Sequence, residues 1–277
     1  MLKRILVLMG ESPSSAAARE YGFRLARATG ARLAGLAGVD LEFINSRQAV
    51  PLGGMAFKAM SDKKLLEEAE GARNRLRERF RDECVERDVE FEWLSFAGDP
   101  AATLMLAAET HDLLITGHDT TFHGKTRQPL STMIERLLIE SPRPVIVCPD
   151  VLPNSSRVLI AYDGSLPSMR AIQVFVLLGI AEGQSVEVVS IDPDQEIAAR
   201  RCSAAATYMR AHGLDVAVFP VVSRAHPAEI LNVEISDRNI GTLVMGAYGH
   251  RGFREALFGS TTRRLVDSPR CAQFLYN

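Results

Sequence analysis

The chain carries one pattern twice. "RILVLMGESPSSAAA", from Arg4, returns as "RVLIAYDGSLPSMRA" from Arg157, an offset of 153 that also aligns Gly30 with Gly183. Further along, "GDPAATLM" from Gly98 matches "AHPAEILN" from Ala225 at an offset of 127. "DLLITGHD" then matches "GTLVMGAY", with Gly117 opposite Gly246. A repeat of this length constrains folding more than any single motif, because each copy brings the same succession of local signals and must build the same unit. The drop in offset gives the first copy about 26 additional residues, near Leu41–Leu65. The polar, proline-containing stretch "VLPNSS", Val151–Ser156, joins the copies. The expected domains are therefore 1–150 and 151–277, each near the usual size of roughly 150 residues.

Within each copy, strand and helix signals alternate. In the second, Val158–Tyr162, Val186–Ile191, Leu214–Val222, Thr242–Met245 and Cys271–Leu275 read as strands. Between them Pro167–Leu178, Asp194–His212, Pro227–Arg238 and Ser260–Val266 read as helices, two of them opened by proline. The runs before Gly10, Asp163, Gly117 and Gly246 are nearly all apolar, as strands covered on both faces require. Each copy is expected to be a doubly wound α/β domain with a five-stranded parallel sheet. Trp93 and Phe96, in the third strand of the first copy, are expected to be buried.

Composition excludes several classes. Thirty-four acidic and 32 basic residues give a net charge of −2, which offers no electrostatic reason for nucleic acid as a partner. No apolar run approaches the ~20 residues of a membrane helix, and Ile5–Met9 is short for a signal peptide. Cys84, Cys148, Cys202 and Cys271 are scattered without a CxxC pair, so reduced thiols in the cytoplasm are expected.

"GAYGHRGFREALFGSTTRRLV", from Gly246, concentrates Gly246, Gly249, Gly252 and Gly259 ahead of Ser-Thr-Thr. Glycine lets backbone N–H groups come close to a ligand, and a helix beginning at Ser260 would offer unpaired N–H groups and its positive dipole end to an anion. Asp163 and Gly164 lie just past the first strand of the same copy. In doubly wound sheets ligands bind beyond the carboxyl ends of the strands, where the strand order reverses. Together these features point to a nucleotide phosphate; helix capping by Ser260 is the simpler alternative.

Gly246-x2-Gly249-x9-Gly259-Ser260, with Asp163 at the end of the first strand, resembles the ATP-binding universal stress proteins, and the wording of the loop resembles their tandem-domain bacterial members. The resemblance spans both copies. It implies strand order 3-2-1-4-5 in each domain and ATP, with or without Mg²⁺, across the ends of the first and fourth strands. Ala161, Tyr162 and Asp163 would then contact the nucleotide, Asp163 near the adenosine and its ribose, while the second-strand backbone around Val189, with Met245 and Gly246, would meet adenine. Gly249, His250, Gly259, Ser260, Thr261 and Thr262 would surround the phosphates. The implied function is an ATP-binding stress-response regulator or sensor with one competent site, in 151–277. A slow Mg²⁺-dependent ATPase and a ligand-free scaffold are the alternatives, and no catalytic residue is assigned. Edge-to-edge pairing of the two domains through their last strands is expected, and a homodimer of whole chains is compatible with this reading.

The first copy departs from the pattern. Gly10 stands in place of Asp163, Thr120 in place of Gly249, and Leu130-Ser131, or Ser131-Thr132, in place of Gly259-Ser260. It is expected to be degenerate in ligand binding. "HGKT", His123–Thr126, lacks the first glycine of a P-loop, which would fall at Asp119. His118, Asp119 and His123 could ligate a metal but read more simply as surface groups. Arg251 and Arg254 read equally as surface charges or phosphate ligands, and Ser61–Asp88 as an amphipathic helix with a solvated face.

Overall fold

The computed structural model describes residues 1–46, 55–122, 132–247 and 259–277. The first half runs β1 (Arg4–Leu8), α1 (Pro13–Thr29), β2 (Arg32–Asp40), α2 (Leu41–Ser46), α3 (Met55–Glu86), β3 (Phe91–Gly98), α4 (Pro100–Glu109), β4 (Leu113–Gly117), α5 (Thr132–Glu140) and β5 (Val145–Cys148). The second runs β6 (Arg157–Ala161), α6 (Leu166–Leu177), β7 (Ser185–Asp192), α7 (Gln195–Ala211), β8 (Val216–Val222), α8 (Pro227–Asp237), β9 (Thr242–Gly246), α9 (Ser260–Asp267) and β10 (Ala272–Tyr276). Local chemistry sets the helix ends. Ser12 and Ser165 cap α1 and α6 by accepting the N–H groups of Ser15 and Ser168, and Gly30 stops α1 at a left-handed φ of 68°.

Among the described residues the ten strands form one sheet, ordered β3-β2-β1-β4-β5-β10-β9-β6-β7-β8, so each half has the expected 3-2-1-4-5 order. Neighbours are parallel except at the seam between the halves. There β10 runs antiparallel to β5, with Gln273 opposite Val147, Phe274 opposite Ile146 and Leu275 opposite Val145. The carboxyl ends of the first half's strands therefore point opposite to those of the second.

The core passes through the seam. One layer gathers residues of α1, α3, α6 and α7 with the facing side of both half-sheets. The other gathers residues of α4, α5, α8 and α9. Phe175 and Phe274 meet edge to face at 5.1 Å, and Tyr21 on α1 hydrogen-bonds Thr242 on β9 at 2.8 Å. Burial pushes the Tyr21 hydroxyl well above its ordinary pKa, so it stays protonated.

The additional residues of the first half become α2 and the front of α3, which is 32 residues long against 17 for α7. Leu76, Phe80 and Cys84 recur on its buried side, and the Phe80 ring lies where a side chain on Gly35 would stand. Trp93 and Phe96 are half-buried rather than buried, because β3 is an outer edge of the sheet. At the other edge β8 carries Pro220, which has no N–H to offer a further strand. All four cysteines are free and buried, and burial pushes the Cys84 and Cys271 thiols up to about 12. Among the described residues no helix is long and apolar enough to cross a membrane.

Candidate functional site

Between β6 and β9 the chain crosses to opposite faces of the sheet, which leaves a gap at their carboxyl ends. A cleft of about 600 Å³ occupies it. Ala161, Tyr162, Asp163, Val189, Met245, Gly246, Gly259, Ser260, Thr261 and Thr262 all line it. Gly249, His250, Arg251 and Arg254 lie outside the described residues.

One wall is apolar. Ala161, Val189, Ile191 and Met245 belong to the same side of the sheet, since alternate residues of a strand share a face, and Leu231 of α8 packs with them. Val189 contributes its side chain, because its carbonyl oxygen already accepts the Tyr162 N–H at 2.9 Å. At the mouth, Gly164 takes a φ of 81°, open to glycine, and turns the chain into α6. Asp163 Oδ1 accepts from the Ser165 N–H at 2.9 Å and the Ser168 hydroxyl at 2.7 Å. Burial alone would raise this carboxyl, but the bonds from Ser165 and Ser168 outweigh it and hold the pKa below its ordinary value. Asp163 is thus an anion that accepts hydrogen bonds. Arg201 reaches the same rim, held by Asp192 at 2.8 Å.

The far end is the start of α9. Gly259 precedes the helix with no side-chain cap, and the first helical bond runs from the Arg263 N–H to the Gly259 carbonyl at 3.0 Å. The N–H groups of Ser260, Thr261 and Thr262 therefore have no acceptor within the helix. Thr262 offers only its N–H, because its hydroxyl turns inward and donates to the Ala247 carbonyl at 2.9 Å. The Ser260 hydroxyl stays at the surface and meets His226 Nε2 at 3.2 Å.

Of the glycines that line this cleft, Gly246 and Gly259 answer to different demands. A Cβ on Gly246 would lie 2.5 Å from the Ser168 nitrogen and 2.7 Å from the Pro167 carbonyl carbon, so tight packing of β9 on α6 demands the glycine. A Cβ on Gly259 would meet nothing closer than 3.8 Å, and its φ of −54° suits any residue. Nothing in the described fold requires a glycine there.

In the first half the equivalent cleft is about 230 Å³ and is filled from within. A side chain on Gly10 would collide with the Ser15 hydroxyl, which bonds Thr120 at 2.9 Å. Thr120 in turn accepts the Gly117 N–H at 3.0 Å, and Ser14 donates to Asp119. His118, Asp119 and Asp150 bring donor atoms within 4.8 Å of one another, with His118 and Asp150 at 3.3 Å. Asp150 thus takes the place expected of His123, which lies outside the described residues.

Sequence reasoning missed Ile191, Arg201, Pro227, Leu231 and His226. The pattern carried signals for some of them. Ile191 repeats Val189 at strand spacing, Leu231 follows Pro227 by one helical turn, and His226 stands opposite Asp99 in the repeat.

A sequence model described as the universal stress protein family matches residues 1–149 and again 154–272. A universal stress protein of Synechocystis is 28% identical over 140 residues, and that match spans 50% of this chain and 48%, about half, of the relative. Among solved structures, a universal stress protein of Archaeoglobus fulgidus superposes with a TM-score of 0.72 at 19% identity, covering 99% of this chain and 96% of that one. A second, described as a putative universal stress protein of Pseudomonas aeruginosa, gives a TM-score of 0.61 at 19% identity, covering 99% and 93%.

Proposed function

Because the chain belongs to the universal stress protein family, with both halves matched, we propose that it is a stress-response regulator whose second half, 151–277, binds one adenine nucleotide, ATP by preference, while the first half, 1–150, is degenerate. The observation that carries this reading is Gly259. It is a glycine that neither backbone angle nor packing demands, at the lip of a 600 Å³ cleft beside the open N–H groups of α9. A ligand approaching closer than a side chain would allow accounts for it.

In this reading adenine lies against Ala161, Val189, Leu231 and Met245, and Asp163 Oδ2 accepts from the ribose hydroxyls. The phosphates meet the N–H groups of Ser260, Thr261 and Thr262 and the Ser260 hydroxyl, with Gly249 and His250 completing the loop. Mg²⁺ would accompany the phosphates as their counterion. The hydroxyl network around Ser15 and Thr120 leaves the first half with less room, and Gly10 offers no carboxylate in the place of Asp163. Joined by β5 and β10, the halves act as one unit in the cytoplasm, with the nucleotide state altering contacts to partners or to a second chain.

The test is calorimetric titration of Mg²⁺-ATP into the full chain and into Gly259→Leu. One site per chain, lost in the variant, is expected; because a Cβ fits at Gly259, the variant should fold. Two sites would refute the degenerate first half, and no binding would favour a scaffold.

A further inference from the structure

Resting on the nucleotide reading above, we propose that His226 is a positioning residue for the phosphate end of the cleft, its ring fixing the direction in which the Ser260 hydroxyl donates. His226 immediately precedes α8 and caps it, its Nδ1 accepting the Ala228 N–H at 3.2 Å. A ring nitrogen that accepts carries no proton, so in the neutral imidazole the proton sits on Nε2. Nε2 lies 3.2 Å from Ser260 Oγ and therefore donates to it. That bond uses a lone pair of the hydroxyl and leaves its own proton uncommitted.

Ser260 is exposed and lines the cleft beside the unpaired N–H groups of α9. Its proton is thus available to an anion at the same place. With the opposite tautomer, Ser260 would donate to the ring and turn only lone pairs toward phosphate oxygens. The cap on Ala228 decides between the two, so a backbone requirement of α8 is relayed through one ring into a donor at α9.

Capping alone does not need a histidine. At the equivalent position of the first half, Asp99 caps α4 by accepting the Ala101 N–H at 2.9 Å, and its carboxylate has no proton to pass on. What histidine adds is a second nitrogen, on the far side of the ring, carrying a proton. The His226 contact is also not what keeps α9 in place. One turn along, Arg264 meets Glu229 at 3.2 Å, and Leu265 and Val266 anchor the helix in the core.

The test is titration of ATP and of adenosine into the full chain as wild type, His226→Asn, Ser260→Ala and the double variant. Asparagine retains an oxygen to cap Ala228, and its amide nitrogen is too short to reach Ser260. Each single variant should bind ATP about three- to tenfold more weakly, as loss or misdirection of a donor to a charged acceptor implies. Adenosine affinity and thermal stability should be unchanged, and the double variant should bind no more weakly than Ser260→Ala alone. Additive losses, unaltered ATP binding by His226→Asn, or an equal loss for adenosine would each overturn the role of His226. A wild type that binds neither compound would remove the nucleotide reading, and this inference with it. A wild type that binds both equally well would retain the site but overturn the role of its phosphate end.

Discussion

Gly246 and Gly259 bound one cleft and answer to different demands. Gly246 lets β9 press on the first turn of α6, so Gly246→Ala should destabilise the chain by about 1–3 kcal/mol through overpacking. Gly259→Ala should change stability by no more than about 0.5 kcal/mol, as at sites free of such constraints. Urea unfolding of the two variants measures both, and equal losses would contradict the distinction. Asp163 makes a prediction that depends on pH. A carboxyl held below its unfolded value contributes stability above that unfolded value and loses it as pH falls through the depressed one. Asp163→Asn does not titrate, so the wild-type advantage should shrink on acidification; a gap constant with pH would contradict the assignment. The effect should be small, since solvent screens the cleft mouth. The same variant should weaken ATP about tenfold, because an amide nitrogen would replace the accepting Oδ2. That Asp163, Gly259 and Ser260 would line one cleft was legible in the sequence, because glycine spacing and strand ends are local. The packing role of Gly246 was not, since its neighbours Pro167 and Ser168 are distant in the chain.

Helix α9 is short and uncapped, yet its first turn faces the cleft. Two side chains of that turn, alike in chemistry, are assigned opposite work by direction alone. Thr262→Val should cost about 1 kcal/mol of stability by removing the bond to the Ala247 carbonyl, while leaving nucleotide affinity nearly unchanged. Parallel denaturation and titration would check this, and a large loss of affinity would return the Thr262 hydroxyl to the phosphates. The helix and strand boundaries of the second half were legible to within a few residues, because proline starts, serine and aspartate caps and unbroken apolar strands all agree. The sequence also indicated a helix from Ser61. It did not show that α3 begins six residues earlier, at Met55. The inward turn of Thr262 was not legible either, since hydroxyls at successive helix positions look alike until the core is placed.

At the scale of the whole molecule, the seam decides how the halves behave. Both core layers run through the β5–β10 pair, and Tyr21 ties α1 to β9. The chain should therefore melt in one cooperative calorimetric transition, and two resolved transitions would contradict a shared core. Gln273, buried at the seam with its amide bonded to the Leu265 carbonyl at 2.8 Å, is the place to weaken it. Gln273→Glu puts a carboxyl there with no donor for that carbonyl, and should lower the midpoint for both halves together. Duplication made the two-domain plan readable from sequence, but the joining of two sheets into one depends on contacts between residues more than a hundred positions apart. The connection Val151–Ser156 has a further consequence. Two separate chains meeting through such strands would part on dilution, whereas a short tether holds each half at an effective concentration near millimolar relative to the other. The pairing of the halves is therefore independent of how much protein a cell contains, and so is the ratio of open cleft to filled one.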